Sequence, residues 1–217
     1  MQTIAAAASG LFCTASGLDG NTGRDPQQPG TAIWFTGLPG CGKSSICDFV
    51  LASLRDKGFD PVLLRMDDRR RIYFPSPQYT REEREQAYQL FSREAVEAAR
   101  EGRLVLMDAT APRIEMRKMV RDQVPAFAEI HIHCTLNTAM HRERSRPGGQ
   151  VMAELYDKAL ERKKTGRDVP GLGMVIGVDQ EFEMDPEAEM ILENDHLSLQ
   201  EAGEKVSEFI LENILCK

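Results

Sequence analysis

The stretch TAIWFTGLPGCGKSSICDFV, Thr31–Val50, decides the fold, and the eight residues GLPGCGKS within it, Gly37–Ser44, decide the chemistry. Thr31–Thr36 is a short β-rich run that ends in a glycine-rich turn. From Ser44 to Lys57 the apolar residues Ile46, Phe49, Val50, Ala52 and Leu54 recur at helical spacing, and Gly58 supplies the stop. Gly37–Ser44 fits GxxxxGK(S/T) between strand and helix, the context that separates a phosphate-binding loop from a chance match. Glycines let backbone N–H groups turn inward around phosphate oxygens, and the helix starting near Lys43 adds its positive end. Gly37, Leu38, Pro39, Gly40, Cys41, Gly42, Lys43, Ser44 and Ser45 are thus expected to hold ATP. Lys43 is the catalytic point charge on the β- and γ-phosphates, and the Ser44 hydroxyl is a ligand for Mg2+.

Outward from this loop, apolar runs alternate with helical stretches. Pro61–Met66, Arg103–Ala109 and Phe127–Cys134 read as strands, with a short fifth at Ala188–Leu192. Thr80–Glu101 is a long charged helix, opened by a Thr80–Glu83 capping box and closed by Gly102. A C-terminal helix runs through Leu199, Ala202, Val206, Phe209, Ile210 and Ile214. This alternation predicts an α/β fold of three layers: a five-stranded parallel sheet with helices on both faces. Ligands of such sheets sit beyond the carboxyl ends of the strands, so the loops after Thr36, Met66 and Met107 should face one site. One domain over residues 31–217 is expected, with a lid at about 142–168 and a flexible tail over residues 1–30.

The chain has 217 residues, 41% hydrophobic and 28% charged, as an ordinary globular domain requires. A net charge of −7 argues against broad nucleic-acid binding, so any anion site must be a local basic pocket on an acidic body. No apolar run approaches the ~18 residues that a membrane span needs. The five cysteines, Cys13, Cys41, Cys47, Cys134 and Cys216, lack CxxC spacing, and reduced thiols in a cytoplasmic protein are the expectation.

Several polar residues fall at strand ends. Asp108 closes the run LVLMD and is a second candidate Mg2+ ligand, acting through water, although a strand-end Asp can also cap a turn. A hydroxyl acceptor must lose its proton during phosphoryl transfer, so a carboxylate near the γ-phosphate is expected. Asp67 and Asp68 end the second strand, and Asp67 is taken as the base. Arg69, Arg70 and Arg71 follow at once, where guanidinium forks suit an anionic small-molecule acceptor. Arg84 and Arg113 are placed on the same rim. Tyr73, Phe74 and Tyr79 could stack a base or pack inward. Arg142, Arg144 and Arg146 precede Pro147-Gly148-Gly149 and could swing over the phosphates, with Arg144 the catalytic choice. His131 and His133 alternate on one strand face and read as ordinary sheet residues. A nucleotide-dependent switch is the rival class, though no guanine-specifying NKxD stretch is present.

From Gly30 to Asn194 these residues resemble the adenylyl-sulfate kinase family. RMDDRR looks like that family's DGDNVR, which puts Asp67 on its second Asp and Arg70 on its substrate Arg. Tyr79–Arg84 looks like FSxxDR, so Arg84 falls on a substrate-binding Arg and Tyr79 on a base-stacking aromatic. Glu143-Arg144 and Leu155–Ala159 resemble ERDPKGLYKKA, which brings in Lys158. MDATAPR stands where the family has SFISPYR, retaining Pro112 and Arg113 as implied substrate contacts. Gly177–Asp179 with Phe182-Glu183 resembles GIDxPYE. The resemblance implies transfer of the ATP γ-phosphate to the 3′-hydroxyl of adenylyl sulfate. It leaves open a homodimer and association with a sulfurylase. There are departures: Arg65 replaces the first Asp of DGD, Ala87, Gln89 and Leu90 replace an Asn and a paired Arg, and Asp108 is added. Leu172 or Val175–Ile176 falls where the family's lid carries a stacking Phe. A relative acting on another anionic or nucleotide-linked small molecule is therefore the rival enzyme.

Overall fold

The computed structural model describes residues 30–77, 80–145 and 154–215. The N-terminal stretch 1–29, Tyr79 and residues 146–153 of the expected lid lie outside the described residues.

Strand β1 (Thr31–Thr36) is central because its side chains are apolar on both faces, the requirement for an inner strand of a parallel sheet. Ala32 and Trp34 point to one core, Ile33 and Phe35 to the other. After it the chain runs α1 (Lys43–Asp56), β2 (Val62–Arg65), α2 (Met66–Tyr73), α3 (Arg81–Arg100) and β3 (Leu104–Asp108). Then come α4 (Ile114–Arg121), β4 (Ala126–His133), α5 (Leu136–Arg144), α6 (Leu155–Thr165) and β5 (Met190–Glu193). Helix α7 (Leu199–Ile210) ends in a π-helical turn, Leu211–Leu215. The five strands pair in the order β2-β3-β1-β4-β5, all parallel. The predicted α/β architecture is thus the observed one.

Each face of the sheet buries its own core. Ile33, Phe35, Leu106, Ile130 and Ile132 pack with Ile46, Val50 and Leu54 of α1 and Val206 and Ile210 of α7. Gly203 is what lets α7 close on α1, since a Cβ there would lie 2.3 Å from the Phe49 ring. On the other face Trp34, Val105 and Met107 meet Tyr88, Phe91 and Ala95 of α3 and Met116 and Val120 of α4, with Trp34 edge-on to Phe91 at 5.7 Å. Helix α3 starts where its cap predicts, with the Thr80 hydroxyl accepting from the Glu83 N–H at 3.1 Å.

One local expectation needs correction. Asp67–Arg71 do not form a loop but the body of α2, which follows β2 without an intervening turn. Asp67 and Asp68 sit in its first turn and Arg70 and Arg71 in its last, the charge order that a helix dipole favours.

Candidate active site

One cavity opens at the carboxyl ends of β1, β2 and β3, where the three loops were expected to meet. Pro39, Gly40, Gly42, Lys43 and Ser44 line one side; Arg65–Asp67, Arg70, Arg71, Arg84 and Tyr88 line another. Asp108, Ala109 and Thr110 form part of the floor, and Glu143, Leu155 and Gly171–Ile176 complete the wall.

The glycine loop is pinned from behind through its carbonyls. The Leu38 carbonyl accepts from the Cys41 N–H at 3.1 Å, and the Pro39 carbonyl from the Tyr156 hydroxyl at 2.7 Å. The Cys41 carbonyl accepts from Asn194 Nδ2 at 2.8 Å and from Arg142 Nη1 at 3.3 Å. With the Pro39 and Cys41 carbonyls engaged from outside and the Cys41 N–H used within the loop, the other loop amides and the first N–H groups of α1 are left to face an anion. Gly40 and Gly42 hold φ values of 81° and 100°, a backbone conformation that a side chain would strain. Cys41 is fully buried, Lys43 and Ser44 are half-buried at the cavity and Ser45 is exposed. Burial opposes the Lys43 charge, but Cys41, Asp108 and Asp67 outweigh it and raise the lysine pKa, so the ammonium stays charged.

Of the two carboxylates after β2, Asp67 is half-buried and lines the cavity, whereas Asp68 is exposed and lies 3.7 Å from Arg71. Arg70 and Arg84 reach the same cavity from α2 and α3. Arg84 donates to the Met174 carbonyl at 2.8 Å, tying α3 to the 171–176 segment, and its burial lowers its pKa. Arg162 holds that segment from the other side through the Leu172 and Gly173 carbonyls and Asp179 Oδ2.

The loop after β3 is fixed residue by residue. Trp34 Nε1 donates to the Ala109 carbonyl at 3.0 Å and the Thr36 hydroxyl to the Thr110 carbonyl at 2.5 Å. Ala111 has φ of 37°, a cost for a residue with a Cβ, and is gripped at both ends. Its N–H donates to the Tyr88 hydroxyl at 2.7 Å, and its carbonyl accepts from Arg117 Nη1. Arg117 is wholly buried, pairs with Glu129 at 2.9 Å and also donates to the Glu183 carbonyl at 2.6 Å. Through it the GVD…FE segment is docked on the β3 loop.

Asp108 ends β3 beside Arg65, its register neighbour on β2. Arg65 Nε lies 3.0 Å from Asp108 Oδ2, and Nη2 lies 2.6 Å from Asp48 Oδ1 on α1. Burial disfavours the Arg65 charge, yet the bonds to Asp48 and Asp108 leave its pKa raised.

Other expected residues lie off the cavity lining. Arg144 pairs with Asp157 of α6 on an exposed surface, with Nε–Oδ2 at 2.7 Å. Arg113 caps α4 and lies 3.2 Å from Glu85, and Pro112 is buried behind it. Lys158 is half-buried on α6. His131 and His133 share a face of β4 with ring centroids 5.6 Å apart, and His131 stacks on Phe182 at 4.9 Å. Among the described residues no group of three or more His, Cys, Asp or Glu is arranged to hold a metal. The sequence reading missed Asn194, Tyr156 and Arg117. Asn194 follows the last strand and could have been flagged as a strand-end polar residue, and Tyr156 falls in the stretch that resembles ERDPKGLYKKA, whereas nothing local marks Arg117.

Comparisons with known proteins point to one family. Residues 29–193 match the family model described as adenylylsulphate kinase. The chain is 27% identical over 163 residues to the probable adenylyl-sulfate kinase of Archaeoglobus fulgidus, covering 75% of this chain and 95% of that one. It is 25% identical over 182 residues to the adenylyl-sulfate kinase of Bacillus pumilus, covering 83% and 84%. In fold it is similar to the Mycobacterium tuberculosis APS kinase CysC in complex with AMPPNP and APS, with a TM-score of 0.67, 24% identity, and 85% and 99% of the two chains covered. The chain belongs to the adenylyl-sulfate kinase family and is an ATP-dependent kinase.

Proposed function

We propose that this protein phosphorylates the 3′-hydroxyl of adenylyl sulfate, giving 3′-phosphoadenylyl sulfate and ADP. The observation that carries the reading is that Asp67, Arg70 and Arg84 line the same cavity as Lys43 and Ser44. Lys43 and the loop amides grip the terminal phosphates. Asp67 accepts the acceptor's hydroxyl proton as the new O–P bond forms, and the bond from the γ-phosphorus to the bridging oxygen breaks with its electron pair on ADP. Arg70 and Arg84 offer forks to the anionic acceptor.

The cavity suits Mg2+ in the chemistry of its donors. The Ser44 hydroxyl and the Asp108 carboxylate are hard oxygen groups, too few for a protein cage and suited to an ion that shares phosphate oxygens and waters. Bound there, the ion would offset charge on the transferring group.

A second reading, a different anionic acceptor, draws on one observation. Among the described residues Tyr88 is the sole aromatic in the cavity lining, and aliphatic Met174–Ile176 occupies the wall where an adenine needs stacking. Incubation with MgATP and a panel of phosphate-, sulfate- and carboxylate-bearing alcohols, read by mass spectrometry, separates the two. Adenylyl sulfate should gain one phosphate at the 3′ position. If it stays unmodified while another alcohol turns over, the second reading replaces the first.

A further inference from the structure

The least expected charge in the cavity is Arg65. It ends β2 next to Asp108, and its guanidinium lies between two carboxylates: Asp108, whose side chain is 2% exposed, and Asp48, whose side chain is 55% exposed. Arg65 and Asp108 line the cavity together with Lys43 and Ser44. A carboxylate this deeply buried, beside a loop shaped for polyphosphate, would repel the ligand that the loop is built to hold. Charge in a partly desolvated cavity is poorly screened, so the repulsion would not be lost to solvent. Asp48, exposed on α1, is screened and contributes less.

We infer that Arg65 is the built-in counter-ion of Asp108, a positioning residue that lets the cradle accept nucleotide phosphates while keeping a carboxylate at the strand end for the metal. Arg65 Nε lies 3.0 Å from Asp108 Oδ2, so the protein itself fixes one oxygen of this carboxylate. The pair is set by sheet register, because Arg65 and Asp108 are direct neighbours on adjacent parallel strands. The inference rests on Gly37–Ser44 being a triphosphate cradle, and it adds a function to a residue that the transfer chemistry itself does not use.

The sign of each charge change makes the test specific. Arg65→Gln removes the cation bonded to Asp108 and leaves Lys43, which also has to hold the phosphates, to offset it, so metal-free ATP should bind more weakly by about tenfold or more. MgATP should bind as in the parent protein or more tightly, because the bare carboxylate attracts the cation. Asp108→Asn alone should do the opposite, tightening metal-free ATP and weakening the magnesium dependence. The double variant R65Q/D108N should return metal-free affinity to within about twofold of the parent, whereas loss of a merely structural contact would add to the first defect.

Isothermal titration of all four proteins with ATP, in EDTA and in excess Mg2+, measures these affinities without turnover. Thermal melting checks folding, and Asp108→Asn carries the test by itself should Arg65→Gln fail to fold. Opposite shifts in the two single variants, with recovery in the double, support the inference. Equal metal-free affinity in parent and Arg65→Gln, or weakened binding in Asp108→Asn, overturns it while leaving the cradle intact. Failure of the parent protein to bind MgATP overturns the cradle reading and this inference with it.

Discussion

The phosphate cradle and the acceptor wall share one cavity but are made by different means. Gly37–Ser44 is eight consecutive residues whose backbone, in the proposed reading, does most of the binding, and side chains from far along the chain, Tyr156, Asn194 and Arg142, brace its carbonyls. The acceptor wall is the reverse. Asp67 and Arg70 come from α2, Arg84 from α3, and the 171–176 segment is held by Arg84 and Arg162. Its backbone provides scaffolding while side chains face the ligand. Backbone chemistry tolerates few changes and serves any triphosphate, whereas side-chain chemistry can be retuned one residue at a time. Donor and acceptor specificity can therefore diverge within one fold.

That contrast is sharpest at Lys43. Lys43→Ala should lower turnover by about a thousandfold or more, the scale of losing a preorganised charge on the transferring group. A phosphate-release or coupled-ADP assay checks it, and near-normal turnover would break the contrast at its donor end. Asp67→Asn should lower kcat by about a hundredfold, while MgATP affinity measured by titration stays within about twofold. A parallel loss of ATP binding would mean that Asp67 belongs to the cradle instead. Arg84→Ala should raise the acceptor KM by about tenfold, since a charge-assisted hydrogen bond contributes roughly 1.5–3 kcal/mol. The KM for ATP should hold still. A shift confined to ATP would move Arg84 to the donor side.

The last effect lies off the cavity lining, at His131 of β4. Burial, with help from His133 and Arg117, pushes the His131 imidazole down to about 4 from an ordinary 6.5. A depressed base favours the fold above pH 6.5 and loses that contribution as pH falls toward 4. Burial raises the neighbouring Glu129 to about 7, and its contribution has the opposite slope, present below pH 4.5 and lost as pH rises through 7. Comparing His131→Phe with the parent isolates the histidine. The variant's relative stability should improve on acidification from pH 6.5 to 4, by up to about 1.4 kcal/mol per pH unit. Denaturant melts at several pH values check this, and a pH-independent difference would contradict it. Activity of that variant at neutral pH should be nearly unchanged.

The sheet was legible because each strand is an apolar run and the helices between them are amphipathic or capped. The cradle was legible because its spacing encodes a backbone shape. Helix α2 was not: MDDRRRIY buries only Met66, so it has no apolar stripe to betray a helix. Its charges stabilise it through the dipole and through the Asp68–Arg71 approach, which composition alone reads as a solvated run. Arg117 was unreadable for another reason, since one buried cation in a short helix acquires meaning only when Glu129, Ala111 and Glu183 converge on it. Arg65 stood out as a departure from the family's pattern, but its partner is 43 residues away and is joined to it only by strand register.

The most direct test is a crystal structure with a non-hydrolysable ATP analogue and adenylyl sulfate bound together. The γ-phosphate analogue should rest on Lys43 and the loop amides. Adenylyl sulfate should lie against Arg70 and Arg84, with its 3′-hydroxyl within hydrogen-bonding distance of Asp67. An acceptor pocket that stays empty at saturating adenylyl sulfate, or a bound ligand whose 3′-hydroxyl faces away from Asp67, would contradict the proposed transfer.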